Sequence, residues 1–133
     1  MEQIFNIAGR LIYDPPRDGM KKEHRAQKGW LILKLDDQLG SYYRWHVKKF
    51  LGWLLKGQAY GLHVSVITDR DDNKAEHKDW KKYNNKLISV SISVKMEQHW
   101  KFMVLPVYSE ELNNIRTELG LKEKNFHLTI GRI

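Results

Sequence analysis

Residues 61–68 read GLHVSVIT, and residues 125–133 read NFHLTIGRI. Each stretch carries a histidine, an apolar residue, a hydroxyl residue and a second apolar residue: His63-Val64-Ser65-Val66 and His127-Leu128-Thr129-Ile130. Strict alternation of this kind predicts a strand, because side chains at i and i+2 share a face and those at i and i+1 oppose. On such strands His63 and Ser65 point one way, as do His127 and Thr129. Val64, Val66, Leu128 and Ile130 point the other way, towards a core. The chain therefore repeats one device on two distant segments: an imidazole and a hydroxyl on the open face, anchored by aliphatic side chains behind.

Residues 3–13 (QIFNIAGRLIY) and 30–36 (WLILKLD) also have strand character, separated by turn chemistry in DPPRDG and a polar, basic stretch over 17–28. Residues 41–55 (SYYRWHVKKFLGWLL) predict a helix capped by Ser41, with Tyr43, Val47, Phe50, Leu51 and Leu54 as its apolar stripe and Gly57 as its left-handed end. The loop that follows the first motif strand holds at most a short helical turn. Residues 87–94 (LISVSISV) alternate again, and a turn near 96–98 joins them to HWKFMVLPVY in an antiparallel hairpin. Ser109 caps a helix running to Leu119, with Leu112, Ile115 and Leu119 buried and Gly120-Leu121 as a Schellman ending. A last strand covers 125–132. This order predicts an α+β fold over residues 1–133, one domain, with antiparallel sheet and helices on its outer side.

Composition narrows the function classes. At 133 residues with 41% apolar and 29% charged side chains, the chain is long enough and apolar enough to bury a core. Its longest apolar run, FLGWLL, is too short to span a bilayer, so no membrane partner is expected, and the opening residues lack the form of a secretory signal. The absence of cysteine removes disulfides, thiolate nucleophiles and cysteine-ligated zinc, and fits a cytoplasmic protein. No HExxH motif is present, so neither a metal nor another cofactor is expected. A net charge of +7 favours anionic partners, although lysines dispersed over several segments are also an ordinary solvated surface.

Two imidazoles facing one groove suit general acid–base chemistry, one neutral and one protonated near neutral pH. Phosphodiester cleavage needs that division of labour: a base for the attacking oxygen, an acid for the leaving oxygen, and hydroxyls on the non-bridging oxygens. His24, His46, His77 and His99 have no hydroxyl two positions on and are expected to play no part.

These residues resemble the 2H phosphoesterase superfamily, whose members carry two His-x-Ser/Thr motifs. GRLIYDP, YYRW, LHVSVI, RTELGL and FHLTIGRI are similar, in that order, to the Swiss-Army-knife RNA-repair-like branch frequent in bacteriophages. The resemblance implies a pseudo-symmetric, two-lobed fold and catalytic roles for His63, Ser65, His127 and Thr129. It also implies a ribonucleotide, small RNA or cyclic nucleotide as substrate, cleaved at a 2′,3′-cyclic phosphate, a 2′–5′ linkage or a cyclic oligonucleotide signal. TDRDD after the first motif departs from the RGE-like pattern of that branch. Tyr60 and Lys101 are the expected substrate-binding residues, with Trp30, Arg70 and Arg10 as further candidates for stacking or phosphate contact. Two other readings stay open: a non-catalytic nucleotide- or RNA-binding module using the same cleft, and a basic scaffold with incidental strand histidines.

Overall fold

A computed structural model describes residues 3–15, 28–56 and 61–133. Among the described residues, seven strands and two helices follow the order β1 (Ile4–Tyr13), β2 (Leu31–Lys34), α1 (Asp37–Leu51), β3 (His63–Ile67), β4 (Leu87–Ser93), β5 (Glu97–His99), β6 (Phe102–Tyr108), α2 (Glu110–Glu118) and β7 (Phe126–Arg132). The strands form one antiparallel sheet in the order β4-β1-β2-β3-β7-β6-β5, and a further β4–β6 pairing closes it into a barrel-like ring with β5 as a flap. The α+β expectation is borne out. No helix among the described residues is long and apolar enough to cross a membrane.

Alternation divides each strand between a buried and an open face. Leu11, Leu33, Val64, Val66, Leu105, Leu128 and Ile130 are fully buried, joined by Leu112 and Ile115 of α2 and Val47 of α1. Gly9 lies on the buried side of β1, where a Cβ would strike Leu35, Leu33 and the Lys34 carbonyl, so only glycine lets these chains approach. Pro106 sits where β6 has passed β5 (paired at 102–104) and has not yet met β4 (paired at 107–108). A missing amide is tolerated at such a gap.

The α2 expectation matches in detail. Ser109 accepts from the Leu112 amide at 3.1 Å, and Gly120, at φ 77°, ends the helix with Gly120 and Leu121 donating to Thr117 and Arg116. Three other expectations need correction. Helix α1 starts at Asp37, because the Asp36 carboxylate caps the Gln38 amide, and it stops at Gly52 (φ 74°) rather than Gly57, which lies outside the described residues. Of the expected stripe, Val47 is buried, whereas Phe50, Leu51 and Leu54 are exposed. The hairpin is not β4–β6. Strand β5 pairs with β6 about a turn at Trp100-Lys101, and β4 meets β6 only at Ser91–Tyr108 and Ile92–Val107. The 17–28 stretch falls almost wholly outside the described residues.

Candidate active site

Strands β3 and β7 lie side by side, with Val64 opposite Leu128. Counting outward along antiparallel strands, His63 faces the Thr129 position and Ser65 faces the His127 position. All four side chains therefore share one sheet face, related by an approximate two-fold through the Val64–Leu128 pair. Diagonal positions on neighbouring strands lie roughly 7–8 Å apart, a spacing on the scale of a phosphate held between two rings. The structure thus brings His63, Ser65, His127 and Thr129 together on the open face, with Val64, Val66, Leu128 and Ile130 behind, each at 0% exposure.

The pseudo-symmetry extends to the supports. Arg116 of α2 donates from Nη1 to the Val66 carbonyl at 2.8 Å, and Arg44 of α1 donates from Nη1 to the Ile130 carbonyl at 3.1 Å. Val66 and Ile130 are the equivalent fourth residues of the two motifs, so each motif strand is pinned by an arginine from a helix. The Arg116 clamp is the stronger one. Its guanidinium is buried, makes a bidentate pair with Asp71 at 2.9 and 3.0 Å and donates to the Lys122 carbonyl at 2.7 Å. This assigns Asp71, within the unusual TDRDD stretch, to holding the scaffold.

The two imidazoles differ in surroundings. His63 is buried to 9% exposure and its Nδ1 donates to the Gly61 carbonyl at 2.9 Å, which makes Nε2 the unprotonated nitrogen of the neutral ring. Burial holds its pKa below the ordinary 6.5, opposed by the Gly61 bond and reinforced by the Lys34 charge. His127 is more open. Its pKa is also lowered, by burial first and then by His99 and Lys124. Both rings therefore favour the neutral form in the free protein at neutral pH.

Two neighbours were not expected from the sequence. Lys34 pairs across the ladder with His63, and its Nζ is held by Asp37 Oδ1 at 2.7 Å and the Leu35 carbonyl at 3.0 Å. Asp37 Oδ1 also accepts from the Leu62 amide at 2.7 Å, tying β2, α1 and the entry to β3 into one corner. His99, expected to play no part, presents its ring 5.6 Å from that of His127 and contacts Glu97 Oε2 through Nε2 at 3.2 Å. Lys34 was detectable only as a cation two positions past Ile32 on a strand; His99 gave no local signal, because its place depends on the β5 register.

The remaining candidates scatter. Tyr60 lies outside the described residues. Lys101 is at the β5–β6 turn, with Nζ 4.9 Å above the Trp100 ring. Arg10 pairs across the ladder with Lys34 and donates to the Asn85 carbonyl at 2.7 Å, while Arg70 sits in an exposed turn. Hollows of about 350 and 360 Å³ lie elsewhere, one lined by His46, Val47, Phe50, Leu51 and Met96, the other beside the α2 N-terminus. Neither is lined by a motif residue. Among the described residues no group of three histidine, aspartate or glutamate side chains is placed to hold a metal ion.

A family model described as Swiss Army Knife, 2H phosphoesterase domain matches residues 32–133, which include both motifs together with Lys34, Arg44, His99 and Arg116. No curated protein and no solved structure matches the chain.

Proposed function

Since the chain belongs to the 2H phosphoesterase family, in its Swiss Army Knife branch, we propose that it is a metal-independent phosphodiesterase. Its substrates are ribonucleotide phosphodiesters with 2′ or 3′ linkage: a 2′,3′-cyclic phosphate, a 2′–5′ bond or a cyclic oligonucleotide signal. Family membership supports hydrolysis of phosphoester bonds in general. The finer reading rests on one observation, the Val64–Leu128 pairing that sets both His-x-hydroxyl pairs on one face.

In this reading His63 is the base. Its tautomer is set by the Gly61 carbonyl, so the neutral ring offers an Nε2 lone pair to a water molecule. The water oxygen bonds to phosphorus as its proton passes to His63. The P–O bond to the leaving oxygen breaks, and protonated His127 gives that oxygen its proton. The products are a phosphomonoester and a free hydroxyl, and proton exchange with solvent restores both rings. Ser65 and Thr129 donate to the non-bridging oxygens, where charge builds in the transition state. Lys34 supplies positive potential on the His63 side. The +7 net charge draws anionic substrates towards the protein.

The test is turnover of 2′,3′-cyclic nucleotides, 2′–5′ oligoadenylate and cyclic dinucleotides in EDTA, with wild type and the His63→Ala/His127→Ala double variant. Cleavage of at least one by wild type alone is expected. No turnover of any, or equal turnover by the double variant, overturns the proposal. Tight binding without product, unaffected by the histidine replacements, would favour a binding module instead.

A further inference from the structure

The register His99–Phe102 leaves a two-residue turn, Trp100-Lys101, at the end of the β5–β6 hairpin. Trp100 adopts φ 56°. A positive φ at the first position of a two-residue hairpin turn is normally given to glycine, asparagine or aspartate, and for a bulky residue it is an outlier. The usual compensation, burial of the indole, is missing: Trp100 is 76% exposed. The fold thus holds a large aromatic ring in water on an unfavourable backbone. Such outliers, where observed, point to function.

The surroundings indicate what the ring meets. The residue before it, His99, touches His127 at 5.6 Å between ring centres, so the hairpin stem stands beside the second motif. The Trp100 ring leans on Phe102 at 6.2 Å, and Phe102 lies opposite Arg132 of β7. Lys101 Nζ stands 4.9 Å from the Trp100 ring centre, and the Lys101 carbonyl accepts from the Ile133 amide at 2.7 Å. An exposed indole with a lysine against its ring, next in the chain to a histidine that meets His127, has the make-up of a stacking platform for a nucleobase.

We propose that Trp100 stacks the base of the nucleoside whose oxygen faces His127, so that the site reads a substrate extending beyond the scissile phosphate on that side. This rests on the ribonucleotide reading above. Loss of one stacked base corresponds to roughly 5- to 150-fold weaker binding.

The experiment measures binding of a phosphorothioate-linked 2′–5′ adenylyl dinucleotide, and of the same compound abasic at either end, to wild type, Trp100→Phe and Trp100→Gly. Trp100→Gly suits the turn, so its melting temperature is expected to stay level or rise while dinucleotide affinity falls by the factor above. Trp100→Phe is expected to keep most of the affinity. Removing the base from one end, and not the other, should weaken wild type and leave Trp100→Gly unchanged. Equal affinity of all three proteins for the dinucleotide, or wild-type indifference to both abasic changes, overturns the inference. If dinucleotide binding depends on Trp100 but the natural linkage is never cleaved, stacking stands and the phosphodiesterase proposal falls. If the linkage is cleaved with no Trp100 dependence in binding, the reverse holds.

Discussion

Replacing Arg116 by methionine keeps the length of an apolar stem but removes every polar contact of the guanidinium. Four hydrogen bonds go: to the Lys122 and Val66 carbonyls at 2.7 and 2.8 Å, and to the Asp71 oxygens at 2.9 and 3.0 Å. What remains is an Asp71 carboxylate at 17% side-chain exposure, with the Thr68 amide as a partner, and a Val66 carbonyl left inside the protein. Breaking one side of a buried ion pair typically costs about 3–5 kcal/mol. Against a total stability of about 5–15 kcal/mol this is a large share, and it lowers Tm by roughly 10–20 °C for a chain of this size. The equivalent Arg44→Met change removes contacts to the Ile130 carbonyl and Ser41 Oγ without stranding a charge, and costs about 1 kcal/mol. Urea unfolding of both variants measures the difference. The pair Arg116→Met/Asp71→Leu should recover much of the loss, since no carboxylate is then left unpaired. Burial alone would raise the Asp71 carboxyl, but Arg116 and the Thr68 amide outweigh it and hold the group below 3.8. Its contribution is therefore present above the unfolded carboxyl pKa and is lost as pH falls through the lower folded value, so acid should erode wild type more than Arg116→Met. Equal midpoints for Arg116→Met and Arg44→Met, or no recovery in the double variant, would show that Arg116 does not hold the Asp71 charge.

Gly61→Ala places a Cβ against the Asp37 carboxylate and Lys34 Nζ at φ 73°; a left-handed alanine alone costs about 1–2 kcal/mol, and because the Gly61 carbonyl orients His63, kcat should fall further than Tm suggests. Thermal melts beside single-turnover rates decide whether the two losses part. Because both imidazoles are lowered from 6.5, a mechanism needing one neutral and one protonated ring puts the kcat/KM optimum below pH 6.5, as a pH–rate profile would show. Lys34→Met removes a charge that lowers the His63 pKa, so the limb belonging to His63 should move towards higher pH. An unmoved profile would separate Lys34 from the chemistry.

The legible parts of the molecule were those written in local pattern. HVSV and HLTI declare strands with chemistry on one side and core on the other, and Ser109 with Gly120 brackets α2 by caps that any helix of that length needs. Helix α1 misled because Ser41 is a fair cap, and nothing local shows that Asp36 is bonded first. Phe50, Leu51 and Leu54 were expected on one stripe with Val47, but the helix ends at Gly52 and all three are exposed. The rest was set by pairing between distant strands. Adjacency of β3 and β7, the β5 flap that carries His99 to His127, and the arginine clamps on Val66 and Ile130 all depend on register. A single chain's sequence gives such register no local mark.

The claim on which the mechanism stands is that His63 and His127 flank one phosphate. Nitrogen-resolved NMR of the histidine rings during titration with a nucleoside 2′-monophosphate tests it most directly. The His63 and His127 signals are expected to move together along one saturation curve, while those of His46 and His77 stay in place. Movement of one ring alone, or of the two with different saturation midpoints, would contradict it.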